Sequence, residues 1–201
     1  DRQRRGCAGW QPLGRIHHLL RYLQEIPGFG ARVPMLYSGT APERPAMRIT
    51  RRLEFDAGHR IPDHASQCRH LHGHRYALEV TLSGDIIKAD GAPVNGMVMD
   101  FADVKRIANE QVVGPWDHAF LAFRGDRLVL DMLAAIPDHK TVVLDVVPTA
   151  ENLATEAFRI LDPAYRDLYG NHLQLERVRL YETPNCWADA LREQRAQAPC
   201  A

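Results

Sequence analysis

The chain has 201 residues, 45% of them hydrophobic and 25% charged, with a formal net charge of zero. This fits one packed domain, or one domain with an appendage, rather than a disordered chain. The balanced charge argues against nucleic acid or an anionic membrane as main partner, no apolar run reaches the roughly 18 residues of a membrane span, and the N-terminal stretch lacks the apolar core of a secretory signal.

Residues 1–46 stand apart. They carry seven arginines and three acidic residues, net +4, while the rest of the chain is net −4. Pro12, Pro27, Pro34, Pro42 and Pro45 punctuate them, and "RIHHLLRYLQEI" is their one helical stretch, ended by Pro27-Gly28. We read 1–46 as a basic, Pro-rich, poorly ordered extension of a domain spanning 47–201, with a basic docking arm as the alternative.

From Ile49 the apolar positions alternate through Leu53, Phe55 and Ala57, with Arg51 as the exception, which predicts a half-buried strand. A second alternation runs through Tyr76, Leu78, Val80 and Leu82 to Ser83-Gly84. His59 shares the parity of the first strand's apolar face, and His72 and His74 that of the second's, so both strands aim histidines to their buried side.

A helix follows "PVNGMVMDF", with Asp100 as N-cap, Asp103 in its first turn, and Phe101, Val104, Ile107 and Ala108 at helical spacing. Gly114-Pro115 is expected to stop it and "WDHAFL" to form a loop. Residues 126–136 read as a short helix and "TVVLDVV" as a short strand. Thr149 caps a further helix with Leu153, Ala154, Ala157, Phe158 and Leu161 on one face. Residues 173–183 form a third long strand and "CWADAL" a fourth. The principal elements run β-β-α-α-β-β, an α+β pattern with helices on one face of an antiparallel sheet. The four cysteines, Cys7, Cys68, Cys186 and Cys200, are scattered without a CxxC pair. That argues against a disulfide framework and for a reducing, cytoplasmic setting.

The stretch "CRHLHGHR" holds three of the ten histidines. On a strand, His72 and His74 point to one side with Cβ atoms about 7 Å apart. Two imidazoles at that spacing can converge on one ion, since zinc lies about 2 Å from each nitrogen. His59 can supply a third nitrogen, and three histidines without a fourth protein ligand is the pattern of a catalytic site. A solvated cluster of loop histidines is the plainer alternative.

Cys68 precedes His72 by four residues. It fits either a fourth ligand closing the site or a reactive thiolate beside the metal, with Arg69 favouring the charged form; spacing does not separate the two. Asp117 can orient His118 for proton transfer, or the two form an ordinary loop pair. Glu182 shares the parity of Val178 and Leu180, which puts a carboxylate on the apolar face in need of N–H donors; an exposed strand-end glutamate is the alternative.

Six phrases, "FDAGH", "CRHLHGHRY", "DFADVK", "WDHAFL", "PTAENLA" and "YET", occur in that order. Together, over about residues 48–190, the chain resembles the 6-pyruvoyltetrahydropterin synthase / 6-carboxytetrahydropterin synthase family. The resemblance implies a tunnelling fold: a four-stranded antiparallel sheet with two helices on one face, assembling edge to edge into a barrel, as trimers stacked into a homohexamer with sites between subunits. It implies catalytic zinc on His59, His72 and His74, Cys68 as the base that abstracts a proton, and Asp117 and His118 working with it. It further implies Glu182 as anchor of the pterin ring, with Thr149 and Glu151 of the "PTAEN" segment helping to line the pocket. The implied substrate is 7,8-dihydroneopterin triphosphate, with Arg69 or Arg75 as phosphate partners by charge alone.

The short form Cys-x-x-x-His-Gly-His resembles the carboxy enzymes of queuosine biosynthesis, whereas the pyruvoyl enzymes have a longer gap. Leu71 stands where a bifunctional variant has glutamate. The expected product is therefore 6-carboxy-5,6,7,8-tetrahydropterin with acetaldehyde and triphosphate. Triphosphate elimination to the pyruvoyl product is the alternative within the family. A non-catalytic zinc-stabilised assembly module is the alternative outside it, though it needs none of Cys68, Asp117, His118 and Glu182.

Overall fold

The computed structural model describes residues 47–192. The segment 1–46 lies outside the described residues. Strands β1 (Met47–His59) and β2 (His72–Gly84) form a long antiparallel pair in a register that sets Ile49 against Leu82, Leu53 against Leu78, Phe55 against Tyr76 and His59 against His72. Residues opposed in an antiparallel pair share a face, so the odd positions of β1 and the even positions of β2 form one apolar surface.

Helix α1 (Phe101–Ala108) follows, N-capped by Asp100, whose carboxylate accepts the Ala102 N–H at 2.7 Å. The expected stop at Gly114-Pro115 does not occur. The helix widens into a π turn at Asn109–Val113 and adds a last turn, Gly114–Trp116. The Gly114 N–H reaches back to the Asn109 carbonyl, and a Cβ on Gly114 would meet that oxygen at 2.8 Å. Glycine lets the turn open, and Pro115 sits in the first turn beyond it, where a missing N–H is tolerated.

Strand β3 (Ala119–Phe123) occupies the expected loop, parallel to β1 through Ala57, Gly58 and His59. Ala119 and Leu121 are buried, and Phe120 covers Gly58 on the other face. A five-residue strand covered on both sides shows no alternation, so its sequence reads as a loop. Helix α2 (Arg127–Ala134) lies within the expected short helix. Its N-cap, Asp126, is nearly buried and grips Arg60, with Nε and Nη2 donating at 2.5 and 2.9 Å. This two-pronged ion pair ties the end of β1 to the start of α2. Strand β4 (Thr141–Leu144) pairs parallel to β3.

Helix α3 (Ala150–Tyr169) is capped by Thr149, whose hydroxyl accepts the Asn152 N–H at 3.3 Å. Strands β5 (Leu173–Thr183) and β6 (Cys186–Leu191) complete a six-stranded sheet in the order β4-β3-β1-β2-β5-β6. The expected antiparallel four, β1, β2, β5 and β6, form its body. Two short parallel strands extend it, so the α+β class holds with a mixed sheet.

The core lies between the sheet and α1 and α3. Leu53, Phe55, Leu78, Val80, Val178 and Leu180 meet Val104 and Ile107 of α1 and Leu153, Phe158 and Leu161 of α3. Tyr165 joins the two helices by donating to the Val104 carbonyl at 2.9 Å. Each fully buried aliphatic or aromatic side chain contributes about 1.5–3 kcal/mol. The histidine end of β1 and β2 therefore rests on a rigid base. Among the described residues no helix is long and apolar enough to cross a membrane.

Candidate active site

Three imidazoles converge where β1 ends and β2 begins. The His59 and His72 ring centres are 4.5 Å apart, His59 and His74 5.2 Å, and His72 and His74 4.9 Å. Potential ligand nitrogens of the three lie within 4.8 Å of one another. Gly73 permits this close pairing, because a Cβ there would meet the Ala57 carbonyl oxygen at 2.9 Å.

Backbone contacts fix two of the rings. The Nδ1–H of fully buried His59 donates to the Pro148 carbonyl at 2.7 Å, and the Nδ1–H of His72 donates to the His70 carbonyl at 2.8 Å. Each leaves Nε2 with a free lone pair, an arrangement typical of metal-binding histidines. Burial is the main cause that lowers the basicity of His59 and His74 below the ordinary histidine range, outweighing the nearby Glu182 carboxylate. Both rings are thereby kept neutral and able to donate a lone pair.

The Nε2 atoms of His59 and His74 are buried without a hydrogen-bond partner. Orphaned nitrogens of this kind are costly, and one divalent cation coordinated by the three rings would satisfy both. The donor set, three imidazole nitrogens with a carboxylate nearby, fits such an ion.

Glu182 belongs to this site. Its Oε1 lies 3.4 Å from His59 Nε2 and 3.9 Å from His74 Nε2. The Glu182 side chain is half-buried beside the rings, at the end of β5 where its pairing with β6 is irregular between Tyr181 and Thr183. Thr149 and Glu151 follow Pro148 at the N-terminus of α3, so the His59–Pro148 bond links their segment to the cluster. Thr149 caps the helix and Glu151 is exposed.

Cys68 sits in the 3-10 turn Gln67–Arg69 before β2 and is a free, half-buried thiol. Its sulfur does not join the cluster of ligand atoms. Tyr76, which the sequence pattern placed simply in the core, is a further member of the site. It packs edge-on against His59 and His74, and its buried hydroxyl has no partner. Its place two residues after His74, on the same face, was the signal available in the sequence.

Asp117 and His118 form a pair but lie elsewhere. His118 Nδ1 is 2.9 Å from one Asp117 carboxylate oxygen, and the other accepts the Asp56 N–H at 3.0 Å. That N–H, the hydrogen-bonded ring and nearby positive charge hold the Asp117 carboxyl below its usual range. The ligand atoms of Asp56, Asp117 and His118 gather within 4.8 Å. Asp56 points to the sheet face opposite Ala57 and His59, so the sheet stands between this pair and the chain's own histidine cluster. Arg75 lies on that same far face, gripped by Asp56 at 3.1 and 3.2 Å, whereas Arg69 is exposed beside Cys68.

Comparison with known proteins agrees with this architecture. Residues 48–193 match the sequence family described as 6-pyruvoyl tetrahydropterin synthase. The 6-carboxy-5,6,7,8-tetrahydropterin synthase of Rickettsia felis is 35% identical over 71% of this chain and 99% of its own length. An uncharacterised protein of Wolinella succinogenes superposes with a TM-score of 0.58 at 23% identity, covering 73% of this chain and 98% of that one. The 6-pyruvoyl tetrahydropterin synthase of Caenorhabditis elegans superposes with a TM-score of 0.50 at 25% identity, covering 73% and 96%.

Proposed function

Because this chain belongs to the 6-pyruvoyl tetrahydropterin synthase family, we propose that it is a zinc-dependent lyase. It takes up 7,8-dihydroneopterin triphosphate and water and releases 6-carboxy-5,6,7,8-tetrahydropterin, acetaldehyde and triphosphate, as a cytoplasmic step in queuosine (7-deazapurine) biosynthesis. The observation that carries the reading is the three-histidine cluster with its orphaned Nε2 atoms. Two features favour the carboxy product: the short Cys68-x-x-x-His72 spacing and the Rickettsia felis relative named for that product.

His59, His72 and His74 would hold the zinc, which supplies Lewis-acid polarisation of substrate oxygens when bound. Cys68, in the turn that leads into β2 and outside the ligand set, removes a proton from the substrate side chain. His118, oriented by Asp117, returns or relays one. Since that pair lies across the sheet from its own cluster, it serves the site of a neighbouring copy. The assembly we propose is a homohexamer, two trimers whose sheets join edge to edge into a barrel. Among the described residues β1 pairs with β3 over Ala57–His59 alone, which leaves a long edge for such a contact.

Glu182, with Thr149 and Glu151 at the head of α3, holds the pterin. A carboxylate accepts two N–H bonds from an aminopyrimidine edge, and charge-assisted bonds contribute about 1.5–3 kcal/mol. Glu182→Gln is therefore expected to weaken pterin binding at least about tenfold, with unfolding little changed. Calorimetric titration with a pterin checks this, and unchanged affinity would remove Glu182 from the binding set.

Residues 1–46 stand outside the catalytic unit in this reading. A chain beginning at Met47 is expected to assemble and turn over as the full chain does, and loss of the oligomer in size-exclusion chromatography would contradict that.

The deciding experiment incubates the zinc-loaded protein with 7,8-dihydroneopterin triphosphate, identifies the pterin by mass and traps volatile aldehyde. Acetaldehyde equal in amount to triphosphate supports the carboxy product. Triphosphate without acetaldehyde moves the chain to the pyruvoyl branch. No turnover with zinc bound leaves an assembly module.

A further inference from the structure

His118 adopts a left-handed backbone with φ of 55°, a strained state for a non-glycine residue that persists only where its surroundings hold it. What holds it here is the peptide that joins Asp117 to His118. The N–H of this peptide donates to the Asp56 carbonyl at 2.6 Å. Its carbonyl, on the other side, accepts from the Lys140 ammonium at 2.5 Å. Lys140 also donates to the Gly114 carbonyl at 2.8 Å. Gly114 belongs to the last helical turn before Asp117, so the ammonium sits among carbonyls at a helix C-terminus, where a cation is favoured.

Lys140 is anchored at its other end. Its own carbonyl accepts the Phe120 N–H at 2.9 Å, just ahead of β4. The side chain therefore runs from the β3–β4 edge back to the helix end, and the Asp117–His118 peptide is pinned from both sides. Turning that peptide changes ψ of Asp117 and φ of His118 together, and so re-aims the imidazole. The Lys140 charge also adds to the effects that keep the Asp117 carboxyl ionised, behind the Asp56 N–H and the His118 ring.

We infer that Lys140 is a positioning residue which locks the Asp117–His118 peptide so that His118 is presented in one orientation for proton transfer. The inference rests on the proposed role of His118. It predicts that loss of the ammonium lowers the rate of the chemical step rather than substrate binding, because the two bonds of the ammonium go to the main-chain carbonyls of Asp117 and Gly114 and not to a ligand-holding side chain.

The test compares the full-length, zinc-loaded wild type with K140M, K140R, H118A and the double variant K140M/H118A, using 7,8-dihydroneopterin triphosphate. K140M is expected to lose kcat about tenfold or more, since small misplacements of a reacting group can cost 10²-fold, with KM and zinc content unchanged. K140R, which keeps two donors on a long stem, is expected to recover most of the rate. In the H118A background K140M should have no further effect, because residues acting through one another are not additive. A crystal structure of K140M should show the Asp117–His118 peptide turned from its present plane.

A wild-type kcat for K140M beside an impaired H118A would overturn the Lys140 inference alone. The same tenfold loss in both backgrounds would do so too, by showing a general structural effect. Full activity of H118A would overturn the role of the pair and this inference with it. Should the wild type itself not turn over, the functional reading fails, and an unmoved peptide in K140M would separately remove the clamp.

Discussion

Cys68→Ala is expected to keep its zinc and its fold while turnover falls by about 10²–10⁴-fold, the range for removing a positioned proton-transfer group. The fold should survive because the turn that carries Cys68 is held by backbone: its carbonyl accepts the Ile61 N–H at 2.8 Å. Alanine preserves that bond. The metal should survive because the sulfur stands outside the group of three clustered nitrogens. Metal analysis beside single-turnover measurements checks both halves. If zinc leaves with the thiol, Cys68 is a fourth ligand and the site is a closed structural one.

His72→Ala and His74→Ala are expected to do the reverse, abolishing metal retention and turnover together. A three-nitrogen site has no ligand to spare. Losing an outer hydrogen-bond partner of a metal ligand typically weakens affinity 10–100-fold, and losing a ligand should weaken it by more than about 100-fold. His70→Ala provides the contrast. Its backbone carbonyl receives the His72 Nδ1–H and its side chain is exposed, so the variant should keep its zinc. The fold should tolerate all three changes, since the apolar core is built from Leu78, Val80 and Leu82 further along β2. Zinc measured after dialysis against a chelator is the readout. Normal occupancy in the His72 and His74 variants would falsify the metal assignment.

The long elements were legible in the sequence because each is apolar on one face and polar on the other. β1 and β2 alternate with period two, β5 does so in two halves, Leu173 and Leu175 and then Val178 and Leu180, on either side of an irregularity in its pairing with β2, and α1 and α3 repeat at helical spacing behind Asp100 and Thr149 caps. The same parity put His59, His72 and His74 on the buried side. β3 escaped because both of its faces are covered. The helix end escaped because a π turn lets the chain run past a Gly-Pro pair that ordinarily stops it.

What the sequence by itself determined was which residue types stand on which face of their own strand. That information is local, set by the two-residue repeat of a strand and the 3.6-residue repeat of a helix. Only the tertiary structure decided which strands meet and in what register. That His59 stands opposite His72, that Pro148 turns the His59 ring, and that Lys140 reaches the Asp117 carbonyl depend on chain segments many residues apart. The placement of Asp117 and His118 on the far face is of the same kind, because it follows from β3 lying parallel to β1. Parallel pairing joins strands distant in sequence and is selected by burial over the whole sheet, so no repeat within "WDHAFL" could announce it.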